Sequence, residues 1–325
     1  MKKQDIDKIN KLSQAGIPFL FIISFNGKSV IIKKLTDINP DKILYSINKY
    51  NNLSSNIKTD KKVNFEKQPV SYTEYYKAFS IVHKHLTQGN SYLTNLTFET
   101  PIKTNLSLKE IFLLSNAPYK LLYNNEFVVF SPEIFIKIEE DKIMSFPMKG
   151  TIDANIPDAE NIILNNKKET AEHATIVDLI RNDLSIIAEN VRVDKYRYID
   201  TIKTNQGNIL QVSSQISGIL NKNYNKNLGN IINNLLPAGS ISGAPKQKTI
   251  EIISEAETYN RGFYTGIFGI FDGKNLDSAV MIRFIEKRDR QLFFKSGGGI
   301  TVNSNSADEY NEMIQKIYLP FSKSH

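Results

Sequence analysis

The chain has 325 residues, 41% of them hydrophobic and 23% charged, a globular composition with ample length to bury a core. Its 41 Lys and Arg against 34 Asp and Glu give a formal charge of +7, but the cations are scattered through Asn- and Ile-rich sequence with no basic stripe interleaved with aromatics, so nucleic-acid binding is not indicated. Cysteine is absent, which excludes disulfides, thiolate nucleophiles and Cys-ligated zinc and agrees with a reducing compartment.

The N-terminal MKKQDIDKINKLS is charged and lacks the apolar core of a signal peptide. The longest apolar run, IPFLFIISF at 17–25, is too short to span a bilayer, so the chain is expected to be soluble and cytoplasmic, with no membrane partner. A helix, a strand at 18–25, a turn at Gly27 and a strand at 29–33 open the chain, and NNLSSNIKTDKK (51–62) is its most loop-like segment. SYTE at 71–74 is a capping box, Ser71 to Glu74, opening a helix with Tyr76, Phe79, Val82 and Leu86 on one face. Gly89 stops it, and YLTNLTF (92–98) alternates as a strand. Strand-like runs follow at 120–130, 134–138, 143–146, 208–220, 267–271, 278–285 and 291–295, with helices at about 167–188, 245–257 and 307–318. Strands joined by short turns, with few helices between them, argue antiparallel sheets with helices outside.

Several segments carry chemistry-bearing residues. SPE (131–133) places Glu133 between apolar runs, a setting that raises a carboxyl pKa and lets it donate a proton; a surface glutamate at a strand start is the alternative. FPMKGT (146–151) sets Lys149 at a turn after an apolar run, either as an ordinary turn lysine or as an amine held close to a reactant, and one hairpin could bring Glu133 beside it. In KKETAEH, Glu169 and Glu172 share a helix face, and the stripe Ala174, Val177, Ile180 and Leu184 turns that helix inward. In SADEYNEMIQK, Glu309, Glu312 and Lys316 share another face. Such pairs either decorate solvated helices, with Ser306 and Glu309 as a capping box, or bind Mg²⁺, a hard cation that takes oxygens. His83, His85, His173 and His325 show no zinc spacing. PAGSISGAPK (237–246) fails the phosphate-loop pattern and is expected as a tight loop with Pro245 in the first turn of a helix, its free N–H groups able to meet a carboxylate. Arg283 in AVMIRF is a cation inside an apolar strand, suited to a substrate carboxylate. KSGGGI (295–300) is either a glycine turn or a place of close backbone approach to a ligand.

In this order, SPE, PMKGT, KETAEHATIVDLIRNDL, GSISGAPK, RGFYTG, SAVMIRF, GGGI and DEYNEM resemble the motifs of the chorismate-utilising enzymes over roughly residues 71–320. The resemblance implies an α+β (α/β/β/α) fold of two packed, mainly antiparallel sheets with helices outside. It implies a single catalytic domain over 1–325, of which 1–70 is a shortened N-terminal part and 71–320 the motif-bearing core. Family members that make anthranilate or isochorismate usually carry alanine at the position of Lys149; those that make 4-amino-4-deoxychorismate carry lysine. Isochorismate-forming members have a water-activating lysine where this chain has Asn95, as in enzymes that use ammonia.

The implied roles follow. Lys149 is the nucleophile at C2 of the chorismate ring and Glu133 protonates the departing C4 hydroxyl, after which ammonia adds at C4. Arg283, Tyr264, Lys316 and the Gly297 backbone hold substrate carboxylates, with Thr151 and Asn95 also in the substrate-binding set. Mg²⁺ is held by Glu172, Glu309 and Glu312 with Glu169 behind. The chain departs from the family at Gln211, where a histidine is usual, and its short N-terminal part lacks the segment that forms a tryptophan regulatory site. It ends with the family's last helix, so ammonia is expected from a separate glutamine amidotransferase subunit or from solution.

Overall fold

Short turns between apolar runs close hairpins, and the hairpins assemble into two nine-stranded sheets, antiparallel throughout. The computed structural model describes residues 1–53, 63–204 and 207–321; from residue 54 the loop expected at 51–62 lies outside the described residues, as does His325. The chain forms two compact units, each assembled from three separate segments. Residues 1–37, 133–240 and 266–280 form the first, and 38–132, 241–265 and 281–325 the second. The first 70 residues are therefore shared between them.

In the first unit the sheet runs from Glu189–Thr204 to Gly207–Ile219, then to Lys142–Ser145 and Met148–Asp153. Those last two strands follow one another along the same edge of Gly207–Ile219, because Glu189–Thr204 occupies its other edge. Ile134–Glu139, Leu276–Val280, Ile267–Phe271, Phe19–Ile23 and Val30–Lys34 complete the sheet. Phe19–Ile23 and Ile267–Phe271 are buried at every residue, the signature of central strands covered on both faces. Glu189–Thr204 was not legible as a strand, since charged residues interrupt its alternation; three register shifts against its partner accompany that irregularity.

In the second unit Leu93–Thr104 pairs with Gln291–Ile300, which leads through Phe284–Arg288, Phe127–Ser131, Tyr119–Tyr123 and Ile43–Ile47 to Tyr50–Asn51. The run expected as one strand at 120–130 is a hairpin, and both Asn124 and Asn125 at its tip have positive φ. The Ser71–Glu74 capping box forms as expected and opens the helix Tyr72–Thr87. Its inward face begins at Tyr75, whereas Tyr76 is 51% exposed: the stripe of Phe79, Val82 and Leu86 extends back four residues rather than three. That face packs with Ile252 and Ala256 of the helix Lys246–Ala256 and Met313 of Ser306–Gln315.

Candidate functional site

After Lys142–Ser145 and a break at Phe146–Pro147, FPMKGT resumes pairing with Gly207–Ile219 as an edge strand. Met148 lies opposite Ser213 and Thr151 opposite Gln211, so Lys149 and Gly150 together face one residue of the partner strand. This is a β-bulge, and Gly150 supplies the positive φ of +82° that it needs. A Cβ there would stand 3.2 Å from Glu169 Oε2, a tight contact that the Glu169 side chain would have to yield slightly to admit. The bulge delivers Lys149 to the helix Lys167–Ser185, where its Nζ lies 2.6 Å from Glu172 Oε2. Thr151, the next strand residue, is exposed.

The inward stripe is as expected at Val177, Ile180 and Leu184, but Ala174 is exposed. In its place Glu172, His173 and Ile176 are buried, which brings a carboxylate and an imidazole inside. Glu172 is only 6% exposed and its Oε1 has no hydrogen-bond partner, although the Lys168 ammonium stands 3.9 Å away. His173 Nε2 lies 2.7 Å from Ser214 Oγ, which also accepts the Arg197 backbone N–H. Burial, reinforced by the nearby Arg197 and Lys149 charges, pushes the imidazole down to about 4, so it is neutral at physiological pH. Neither His173 nor Ser214 was singled out from sequence; the only signal was a histidine directly after a glutamate on an amphipathic helix. Gln211 is buried and its side-chain amide donates to the Met148 sulfur, bracing the start of the bulged segment.

Glu133 stands at the head of Ile134–Glu139, half-buried, and accepts the Ser240 hydroxyl. It lines a pocket with Phe146, Pro147, Ile180, Asp183 and Gly239. The hairpin pairs Lys137 with Met144 and Lys142 with Glu139. It thus brings Glu133 to Phe146 and Pro147, with which it lines the pocket; Lys149 is not among the lining residues. Ser240, in GSISG, was a missed partner of Glu133.

In the second unit Arg283 is a correction. The run 278–285 is two strands, Leu276–Val280 in one sheet and Phe284–Arg288 in the other, and Arg283 lies at the bend between them with φ +53°. The bend frees the guanidinium from the sheet: it lies 5.6 Å from the Tyr318 ring centroid, and its buried Nε has no hydrogen-bond partner among the described residues. Tyr264 is buried one turn beyond Arg261, its ring 5.8 Å from that of Phe284.

Gly297 to Gly299 form neither a turn nor a loop; they belong to the strand Gln291–Ile300, opposite Thr97, Leu96 and Asn95. A Cβ at Gly297 would lie 2.2 Å from Leu96 O, so glycine here permits close approach of backbone to backbone. A Cβ at Gly298 would meet Glu309 Oε2, Lys316 Nζ and Glu312 Oε1 at 3.5–3.9 Å, which confirms that these three side chains share one face. Lys316 Nζ holds Glu312 Oε1 at 2.7 Å and donates to Gly297 O at 2.8 Å. The Ser306–Glu309 capping box, one of the two alternatives for this segment, does not form. Asn305 caps the helix instead, and Glu309 turns inward, buried, accepting the Ser304 hydroxyl at 2.8 Å.

Asn95 Oδ1 is buried with no hydrogen-bond partner, while its carbonyl accepts Arg261 Nη2 at 2.7 Å. Arg261 is itself fully enclosed, paired with Glu257 at 2.6 Å, and Glu257 accepts both the N–H and the hydroxyl of Thr97. The E-x-x-x-R spacing of Glu257 and Arg261 was the available signal for this pair. In GSISGAPK, Gly243 is spent on approaching Leu93 O, with φ +119°, and Pro245 is the helix N-cap rather than its first residue.

The four glutamates fall two to each unit, and among the described residues no three His, Asp or Glu side chains stand close enough together to ligate an ion. Glu172 nevertheless has the donor chemistry of a hard-cation ligand: it is a buried carboxylate with one oxygen lacking a hydrogen-bond partner, though the groups standing nearest its oxygens are the Lys149 and Lys168 ammoniums. No helix among the described residues is long and apolar enough to cross a membrane.

Residues 28–321 match the model of the chorismate binding enzyme family, and the chain belongs to that family of chorismate-utilising enzymes. It is 51% identical over 315 residues, 97% of this chain and 96% of the relative, to an uncharacterized PabA-like protein of Haemophilus influenzae. Over 265 residues, 77% of this chain and 55% of the relative, it is 28% identical to aminodeoxychorismate synthase component 1 of Bacillus subtilis. Anthranilate synthase component I of Streptococcus pneumoniae shares the fold, with a TM-score of 0.67 and 24% identity over 79% of this chain and 59% of that one.

Proposed function

We propose that the chain works as a single catalytic domain that converts chorismate and ammonia to 4-amino-4-deoxychorismate, the aminodeoxychorismate synthase component I reaction of para-aminobenzoate and folate synthesis. The observation that carries this reading is Lys149, raised on a glycine bulge and set against a buried carboxylate; the family resemblance implies an alanine at this position in most anthranilate-forming members.

In this reaction the Lys149 amine attacks C2 of the ring, the double bonds shift, and the C4–O bond breaks. Glu133, aligned by Ser240, gives its proton to the departing hydroxyl so that water leaves. Ammonia then bonds to C4, the shift reverses, and the C2–N bond to Lys149 breaks, regenerating the amine, while the new C4 ammonium gives up a proton that restores Glu133. Arg283, with an unsatisfied Nε, is suited to a substrate carboxylate, and Tyr264 and Lys316 join it in the second unit. Gly297 contributes only backbone, and its carbonyl already accepts Lys316. Asn95 offers a buried oxygen able to accept an N–H, which suits ammonia better than a lysine would. Thr151 is assigned to the substrate-binding set by its place beside the bulge. Glu172, Glu309 and Glu312, with Glu169 behind, are the proposed Mg²⁺ ligands. Bound there, Mg²⁺ would neutralise a substrate carboxylate. A glutamine amidotransferase subunit is the proposed ammonia source.

Product analysis by liquid chromatography and mass spectrometry, after incubation with chorismate, Mg²⁺ and ammonium, tests the assignment. The expected product retains the enolpyruvyl group. Anthranilate with stoichiometric pyruvate would identify an anthranilate synthase instead, and chorismate recovered unchanged, with ammonium or with an amidotransferase, would indicate a binding subunit.

A further inference from the structure

We propose that Lys149 is a resident competitor for the metal position at Glu172, so that binding a divalent cation and releasing Lys149 from Glu172 are one exchange. The inference rests on the reading of Glu172 as a Mg²⁺ ligand and adds what governs the affinity of that position.

A carboxylate only 6% exposed needs a compensating charge, and here lysines provide it. The Lys149 ammonium holds Oε2 at 2.6 Å, and the Lys168 ammonium stands 3.9 Å from Oε1. Glu169, on the same helix, lies against Gly150. A divalent cation added at Glu172 meets two positive charges, and the nearer one occupies the oxygen it needs.

The backbone keeps Lys149 in this place. The bulge sets its Cα, Gly150 leaves room for Glu169, and Lys149 is 24% exposed, with solvent into which its flexible stem can swing. Lys168 is more exposed, at 42%, and 3.9 Å away, so water screens it and its effect on the metal should be smaller. The exchange also suits the reaction: an amine clamped to Glu172 cannot reach a ring carbon, and the cation that recruits the substrate carboxylate would unclamp it.

The test is Mn²⁺ binding, read from the electron paramagnetic resonance signal of the free ion, to the full chain and its variants without substrate. Lys149→Met and Lys149→Gln should each bind Mn²⁺ at least about tenfold more tightly than the wild type, because a contacting like charge has been removed. Lys149→Arg should stay within about threefold of the wild type, and Lys168→Met should gain less than Lys149→Met. Glu172→Gln should lose the site. If both neutral variants at Lys149 keep their circular dichroism and bind no more tightly than the wild type, while Glu172→Gln abolishes binding, the competition is wrong and the metal assignment stands. Binding indifferent to Glu172→Gln, or absent from every chain, removes the metal assignment and the competition with it.

Discussion

Gly150 lies against Glu169: a Cβ on Gly150 would stand 3.2 Å from the Glu169 carboxylate, and φ at Gly150 is +82°. Gly150→Ala should therefore cost about 1–2 kcal/mol through left-handed strain alone, with further loss from displacing Glu169. Urea unfolding measures the first effect. Because the same bulge aims Lys149, turnover should fall by more than the stability change accounts for; a variant less stable but fully active would show that the bulge does not position the amine.

Lys149→Ala should leave chorismate affinity within a few-fold and lower turnover by orders of magnitude, the pattern of a bond made only along the reaction path. Lys149→Arg should not restore activity, since a guanidinium stays protonated and offers no lone pair. Intact-mass spectrometry of the wild type with chorismate and no ammonia should find a chorismate-minus-water adduct on the peptide carrying Lys149. An active arginine variant together with no adduct would mean that ammonia attacks directly.

Turnover should require Mg²⁺, and Glu172→Ala or Glu309→Ala should abolish it. Both residues are buried carboxylates, Glu172 held by lysine and Glu309 by the Ser304 hydroxyl. Circular dichroism of each variant should match the wild type. Full turnover in excess chelator would end the metal assignment.

His173 should make stability depend on pH. Its folded value, about 4, lies below the ordinary 6.5, so the unfolded chain binds the proton more tightly. Stability from this group is therefore complete above about pH 6.5 and is lost as pH falls toward 4, with about 2 kcal/mol gone between pH 7 and pH 5. His173→Gln should flatten that part of the profile in urea midpoints taken at several pH values. An unchanged slope in the variant would place the dependence elsewhere.

The sequence alone determined the elements whose causes are local: the Ser71–Glu74 cap, the helix limits at 167, 246 and 306 to within a residue or so, and the central strands with their unbroken apolar runs. It also carried the ordered motifs of a chorismate-utilising enzyme, because chemistry constrains residue types at set positions in the chain. What it left open depended on partners distant in sequence. Tyr75 rather than Tyr76, and Glu172 with His173 rather than Ala174, face inward, since a helix with two half-apolar faces is oriented by what packs on it. Arg283 left its strand because consecutive apolar residues were divided between two sheets, and no local pattern marks that division. The three glycines at 297–299 became strand because Leu93–Thr104 lay alongside to pair with them. Lys149 is the sharpest case: PMKGT showed an unusual lysine, but only pairing with Gly207–Ile219 made the bulge, and only the helix Lys167–Ser185 supplied the buried carboxylate that gives its charge a partner.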